Sequence, residues 1–194
     1  MENTQLVNSK NIFYPPGGIL LWIIIILELV TFGVALIAMV ISSKENPTVF
    51  HESRLLLNTT FGTVNTVFLI TSGFFMAVSV NYLKQKNTKK ALLFLTLTMF
   101  GGLLFLVLKG IEYSDKIDAG LTIGYNTFFT FYWMLTLFHV IHVLVGLVIL
   151  ISVYFGLKKE VSTTTIEDVE ASAAFWHMCD LIWLLLFPII YVLF

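Results

Sequence analysis

Charge and cysteine are what this sequence has least of. Of its 194 residues, only 12% are Asp, Glu, Lys or Arg, against roughly 25% in a typical soluble domain. A single cysteine, Cys179, excludes a secreted domain stapled by disulfides. The net charge of -1 gives no electrostatic case for nucleic acid as a partner. What the chain has in abundance is apolar side chain: 58% of residues are hydrophobic and the mean hydropathy is +0.91. A domain of this size leaves a large share of its surface in water, so that much apolar area has no soluble core to hide in. A soluble monomer and a disordered chain are thereby excluded. An integral membrane protein remains.

A membrane-spanning helix needs about 20 mostly apolar residues. Five runs qualify, at about 19–41, 60–82, 91–108, 126–155 and 174–194. The expected fold is all-α, a single membrane domain over 1–194 made of five transmembrane helices. The third run contains Gly101–Gly102, a potential bend. The fourth is longer than a bilayer requires, which implies tilt or extension beyond it. The first 18 residues are polar and include Pro15, Pro16, Gly17 and Gly18. They lack the basic start and short apolar stretch of a signal peptide, so the first run reads as a retained span.

Lysine and arginine set orientation. One side would hold Lys10, Lys84, Lys86, Lys89, Lys90, Lys158 and Lys159, the other Lys44, Arg54, Lys109 and Lys116. The expectation is therefore an N-terminus inside and a C-terminus outside.

The informative residues are polar ones in apolar runs. An ionisable group in hydrocarbon costs at least ~2.5–3.5 kcal/mol on insertion scales, so each asks for a partner. Glu28 lies near the middle of the first span. It reads either as a proton site or as a protonated acid hydrogen-bonded to a neighbouring helix. His139 and His142 sit three apart on the fourth span, on one side of a helix. Haem ligation, metal binding and proton relay are open readings for them. Against haem, His177 is the only other histidine in a span and sits at a different depth. Against a metal, no third ligand is evident. Glu28 and the histidine pair lie at comparable depth, so a buried Glu–His contact is expected.

The last span carries Trp176, His177, Asp180 and Trp183, read as a packing and hydrogen-bonding seam near the inner interface, where tryptophan is at home. Asn58, Asn65, Ser72 and Ser79 recur every seven residues and read as a helix-contact face of small, weakly polar side chains. There is no phosphate-binding glycine loop, nucleophile elbow or HExxH motif.

Several of these segments resemble one family. The stretch Tyr132 to Gly146, with Phe138-His139-Val140-Ile141-His142-Val143, is similar to the "TGFHGLHVxxG" stretch of subunit III of haem–copper terminal oxidases. Phe175 to Phe187 is similar to its last helix, "YWHFVDxVWLFLF". Lys109-Gly110-Ile111-Glu112-Tyr113 resembles "QGFEY", Leu57-Asn58-Thr59 resembles "LNT", and Leu27-Glu28-Leu29 takes the place of "SEVMFF". Order and spacing agree across about Pro15 to Phe194.

The resemblance implies an accessory subunit without haem, copper or catalytic residues of its own. Such a subunit packs on catalytic subunit I and other oxidase subunits, binds phospholipids, and supports proton uptake and long-term stability. It maps the family's buried glutamate to Glu28 and its paired histidines to His139 and His142. Haem and copper would belong to partner subunits, and the location would be a bacterial inner membrane.

There are departures. Many members have seven helices, and the first two have no counterpart here. The glycines of "GFHGLH" are Leu137 and Val140, and Pro188 interrupts the last helix. The electron donor, cytochrome c or quinol, is left open. So is an accessory role in a nitric oxide reductase. A free-standing proton-coupled transporter is a rival that would want inverted repeats or broken helices, and neither is seen.

Overall fold

The computed structural model describes residues 17–159 and 164–194. Lys10, Pro15 and Pro16 lie outside the described residues. Six helices follow in order: α1 (Gly18–Glu45), α2 (Pro47–Leu55), α3 (Thr59–Lys84), α4 (Thr88–Asp118), α5 (Thr127–Lys158) and α6 (Ile166–Tyr191). Five of them, all but α2, are long and apolar enough to cross a membrane. The expected five-span helical bundle is what the chain forms, and the protein is a multi-pass membrane protein.

The ends of the helices follow from local chemistry. The first backbone N–H groups of a helix have no partner inside it, and a side-chain oxygen at the cap supplies one. Asparagine does so for three helices: Asn58 Oδ1 accepts from Thr60 N–H, Asn87 Oδ1 from Lys90 N–H, and Asn126 Oδ1 from Phe129 N–H. Asn58 is thus an exposed cap and not part of the helix-contact face expected of it. α6 opens on a reciprocal box, with Asp168 N–H donating to Thr165 Oγ1 and Thr165 N–H donating to Asp168 Oδ2.

That box starts α6 eight residues before the apolar run at 174. α4 also outruns its apolar stretch, continuing from 91–108 to Asp118. Its last ten residues are polar in composition but have buried partners. α2 lies between the first and second apolar runs. Pro47 stands at its first turn, and Phe50 and Ser53 bury its inner face.

α3 and α4 form the tightest pair, α6 packs on α3 and α5, and α1 lies at the edge against α6 and α5. Of the expected contact face, Asn65, Ser72 and Ser79 are buried. Ser72 Oγ donates to the Thr98 carbonyl and Ser79 Oγ to the Ala91 carbonyl, both at 2.8 Å. These bonds join α3 to α4. Small hydroxyls suit this place because they let two helices approach while satisfying a polar atom.

The glycine pair in α4 does not end the helix. Gly102 and Gly146, from α4 and α5, instead enclose Trp176. A Cβ on Gly102 would stand 2.5 Å from Cη2 of that ring, and one on Gly146 2.9 Å from Cε3. Leu137 and Val140, where the family pattern has glycine, are partly buried against the core. Pro188 lies inside α6, which ends three residues later at Tyr191. Proline has no N–H to donate back along the helix.

Candidate functional site

Two polar clusters link helices of the bundle. The first joins α1 to α5. His142 Nδ1 lies 2.7 Å from the carbonyl of Phe138, one turn back. A carbonyl only accepts, so Nδ1 carries a hydrogen. The other ring nitrogen, Nε2, lies 3.2 Å from Glu28 Oε2. The contact lies within ion-pair distance but lacks hydrogen-bond geometry, and Glu28 Oε2 has no hydrogen-bond partner among the described residues. Ile24, Ile141, Val145 and Phe175 complete a groove of about 150 Å³ around it. Both side chains are partly exposed, Glu28 at 24% and His142 at 11%, so the groove opens on the outer surface of the bundle.

His139, expected beside this pair, points elsewhere. It is fully buried, with neither ring nitrogen hydrogen-bonded within the described residues. Its ring stacks on Trp183 at 5.4 Å and meets the Phe105 ring edge-on at 5.6 Å. The Thr136 hydroxyl donates to the Tyr132 carbonyl and not to a histidine. Three residues advance a helix by about 300°, enough to place one imidazole in the bundle core and the other against α1.

The face of His139 is covered by Trp183, and His142 Nδ1 is engaged by the Phe138 carbonyl. Among the described residues no three His, Cys, Asp or Glu side chains come together as a metal site.

The second cluster lies on residues outside the expected sites. Lys109 and Lys116, counted above as charges of an outer connection, belong to the extended α4 and turn inward. Lys109 is 1% exposed and Glu112 1%. Lys109 Nζ donates to Glu112 Oε2 at 3.0 Å and to the Tyr191 hydroxyl at 2.7 Å. The hydroxyls of Tyr132 and Tyr191 both donate to Glu112 Oε1, at 2.9 and 2.6 Å. Rings of Tyr113, Tyr132, Trp183 and Tyr191 surround the ammonium with centroids 5.0–5.4 Å away, within reach of cation–π attraction.

The cluster therefore ties α4, α5 and α6 together, with the Lys109 ammonium paired to the Glu112 carboxylate. The available signal was the i, i+3 spacing of Lys109 and Glu112, together with tyrosines on two other spans. Lys116 Nζ meets the Leu56 carbonyl at 2.6 Å, and Arg54 Nε donates to the Tyr191 carbonyl at 3.2 Å. These contacts fasten the α2 region to the same end of the bundle.

Of the α6 seam residues, Trp176, Asp180 and Trp183 are buried and His177 is 45% exposed. With α6 beginning at Ile166, Trp176 to Trp183 stand ~15–26 Å along it. Trp176 Nε1 donates to Ser72 Oγ at 3.1 Å and Trp183 Nε1 to Thr66 Oγ1 at 2.9 Å. Asp180 faces His177 Nδ1 at 3.4 Å; His177 is 45% exposed and Asp180 10%. Cys179 is a free, buried thiol. Asn65 is fully buried with neither amide atom hydrogen-bonded within the described residues.

Comparison with known proteins places this geometry. The family described as cytochrome c oxidase subunit III matches residues 22–193. The chain is 28% identical over 173 residues to the cytochrome bo(3) ubiquinol oxidase subunit 3 of Buchnera aphidicola subsp. Acyrthosiphon pisum, covering 89% of this chain and 84% of that one. It is 35% identical over 129 residues to the cytochrome c oxidase subunit 3 of Rhipicephalus sanguineus, covering 66% and 49%. To that of Synechocystis sp. it is 31% identical over 132 residues, covering 67% and 55%. It thus spans about half the length of these two cytochrome c oxidase relatives. With five spanning helices and a match that runs nearly from end to end, the chain belongs to the cytochrome c oxidase subunit III family, the third subunit of haem–copper oxidases.

Proposed function

We propose that this chain is the non-catalytic subunit III of a respiratory haem–copper oxidase, packed against catalytic subunit I in a bacterial inner membrane. The haem and copper, and all electron transfer to oxygen, belong to partner subunits. The observation that carries this reading is the family match over residues 22–193, joined to the coverage of the Buchnera quinol-oxidase subunit almost throughout.

The chain contributes stability and support for proton uptake. Glu28 and His142 face each other, 3.2 Å apart, at an apolar surface groove. Phospholipid and the neighbouring subunits cover the apolar exterior. The N-terminus lies inside and the C-terminus outside. Lysine is concentrated in the α3–α4 turn, whereas Lys109 and Lys116 of the opposite end turn into the bundle.

The test is affinity purification of the tagged chain from its native membrane in mild detergent, with an optical spectrum and mass spectrometry of what accompanies it. Haem a, b or o, a large multi-helix partner and oxygen consumption are expected. A colourless chain without partners would overturn the reading. Nitric oxide reduction in place of oxygen consumption would reassign the complex.

A further inference from the structure

One strip of α6 is left uncovered by the described residues. His177, Leu181, Leu184 and Pro188 are exposed, while Ile182, Trp183 and Leu186 beside them are buried. Steps of four, seven and eleven residues from His177 keep one side of a helix. A strip of leucine facing lipid is ordinary. This one also carries two polar groups whose hydrogen-bonding needs α6 does not meet.

The first is the imidazole of His177. Its Nδ1 faces Asp180 Oδ2 at 3.4 Å, and its side chain is 45% exposed. Nε2 has no hydrogen-bond partner among the described residues. Asp180 Oδ1, buried behind it, has none there either. The second is the carbonyl of Leu184. Within a helix its donor is the N–H four residues on, and Pro188 stands at that position without one.

Both groups lie at hydrocarbon depth. The 26 residues of α6 span ~39 Å, against a hydrocarbon core of ~30 Å. His177 stands ~16 Å along the helix and Leu184 ~27 Å. Acyl chains offer neither group a hydrogen bond, and headgroups lie outside the core. Ionisable side chains in spans face a bundle interior or a water-filled cavity. A carbonyl freed by proline is met by a neighbouring helix, a hydroxyl or water. Water along this strip would also wet Leu181, which lies between the two groups. A further helix covers the leucine and meets both.

We propose that this strip of α6 is the seat of a transmembrane helix from a neighbouring subunit. That helix is apolar and carries two hydrogen-bonding side chains of the serine, threonine or asparagine class, seven residues apart. One donates to the Leu184 carbonyl and the other meets Nε2 of His177, ~10 Å away along the axis. The same device operates inside the chain, where Ser72 and Ser79, seven residues apart on α3, donate to carbonyls of α4. The inference deepens the reading above. It rests on assembly with other subunits and names the face that meets one of them.

The experiment uses the purified complex. A diazirine analogue of leucine, close to leucine in size, is placed at Leu181 and photolysed, and mass spectrometry identifies what it joins. The expected product is a cross-link to an apolar segment of another subunit that bears two such side chains seven residues apart. Labelling of lipid or water alone overturns the proposal, and so does a segment without those side chains. P188A supplies the second measurement, because it gives the Leu184 carbonyl an N–H within its own helix and leaves the partner's donor without an acceptor. Release of the partner subunit in detergent should then be roughly threefold faster or more, the scale of one interhelical hydrogen bond in a membrane. H177L/D180N, which removes the imidazole without stranding a charge, should act in the same direction. A P188A complex that holds its partner as well as wild type or better overturns the proposal. The oxidase reading fails separately. A complex without haem whose Leu181 joins such a helix refutes that reading and leaves this inference standing, whereas a haem-containing complex whose Leu181 labels lipid alone does the reverse.

Discussion

The ammonium of Lys109 lies 2.7 Å from the hydroxyl of Tyr191 and 3.0 Å from the carboxylate of Glu112, with both charged side chains 1% exposed. Tyr191 is the last residue of α6, so this contact anchors the end of the last span to α4. A buried ion pair is weak as net stabilisation, yet costly to break from one side only, because an unpaired charge is left in apolar surroundings.

K109M alone and E112Q alone are therefore each expected to lower stability by about 3–5 kcal/mol. K109M/E112L, which removes both charges, should recover most of it. The measurement is the unfolding temperature of the assembled complex, read as a double-mutant cycle. Equal losses that simply add would refute the coupling.

The clasp around Trp176 makes a second expectation. W176A removes a fully buried indole and should cost about 3–5 kcal/mol. G102V inserts side chain where Cη2 of that ring already stands and should cost about 1–3 kcal/mol or more. G110V, at a glycine with open space around its Cβ direction, should be much milder. Thermal dissociation of the three variants in one detergent compares them directly.

Glu28 and His142 make the third. E28A leaves Nε2 of His142 without its 3.2 Å neighbour. The outcome expected is a complex with normal haem spectra and normal initial turnover, whose activity decays faster during sustained turnover. H142L should behave alike, and E28A/H142L should be little worse than either alone. Complete loss of activity at the first turnover, with haems intact, would contradict a supporting role.

The α6 capping box supplies the fourth. T165A removes the oxygen that accepts from Asp168 N–H and should cost about 0.5–2 kcal/mol. The effect should be local, with faster amide exchange over the first turns of α6 and little change around Trp183.

Sequence alone settled the number of spans, their approximate places, the family and the membrane setting. Each of these follows from the one-dimensional distribution of apolar residues and from short motifs that survive in order. The seven-residue interval also located Ser72 and Ser79 on one face of α3, because a helical period is written directly into the chain.

Tertiary structure decided which polar residues meet. His139 and His142 share a spacing that predicts one side, yet the angular step of three residues, on a helix packed against both α1 and the core, sends one to Trp183 and the other to Glu28. Lys109, Glu112, Tyr132 and Tyr191 come from three helices and lie up to 82 positions apart. α4 looked finished at residue 108 because apolar content ends there. It continues because neighbouring helices supply partners for its lysines. Composition reports what a segment avoids, water or lipid. Only packing reports which buried group offers a charge its counterpart, and that pairing made a polar stretch part of the core.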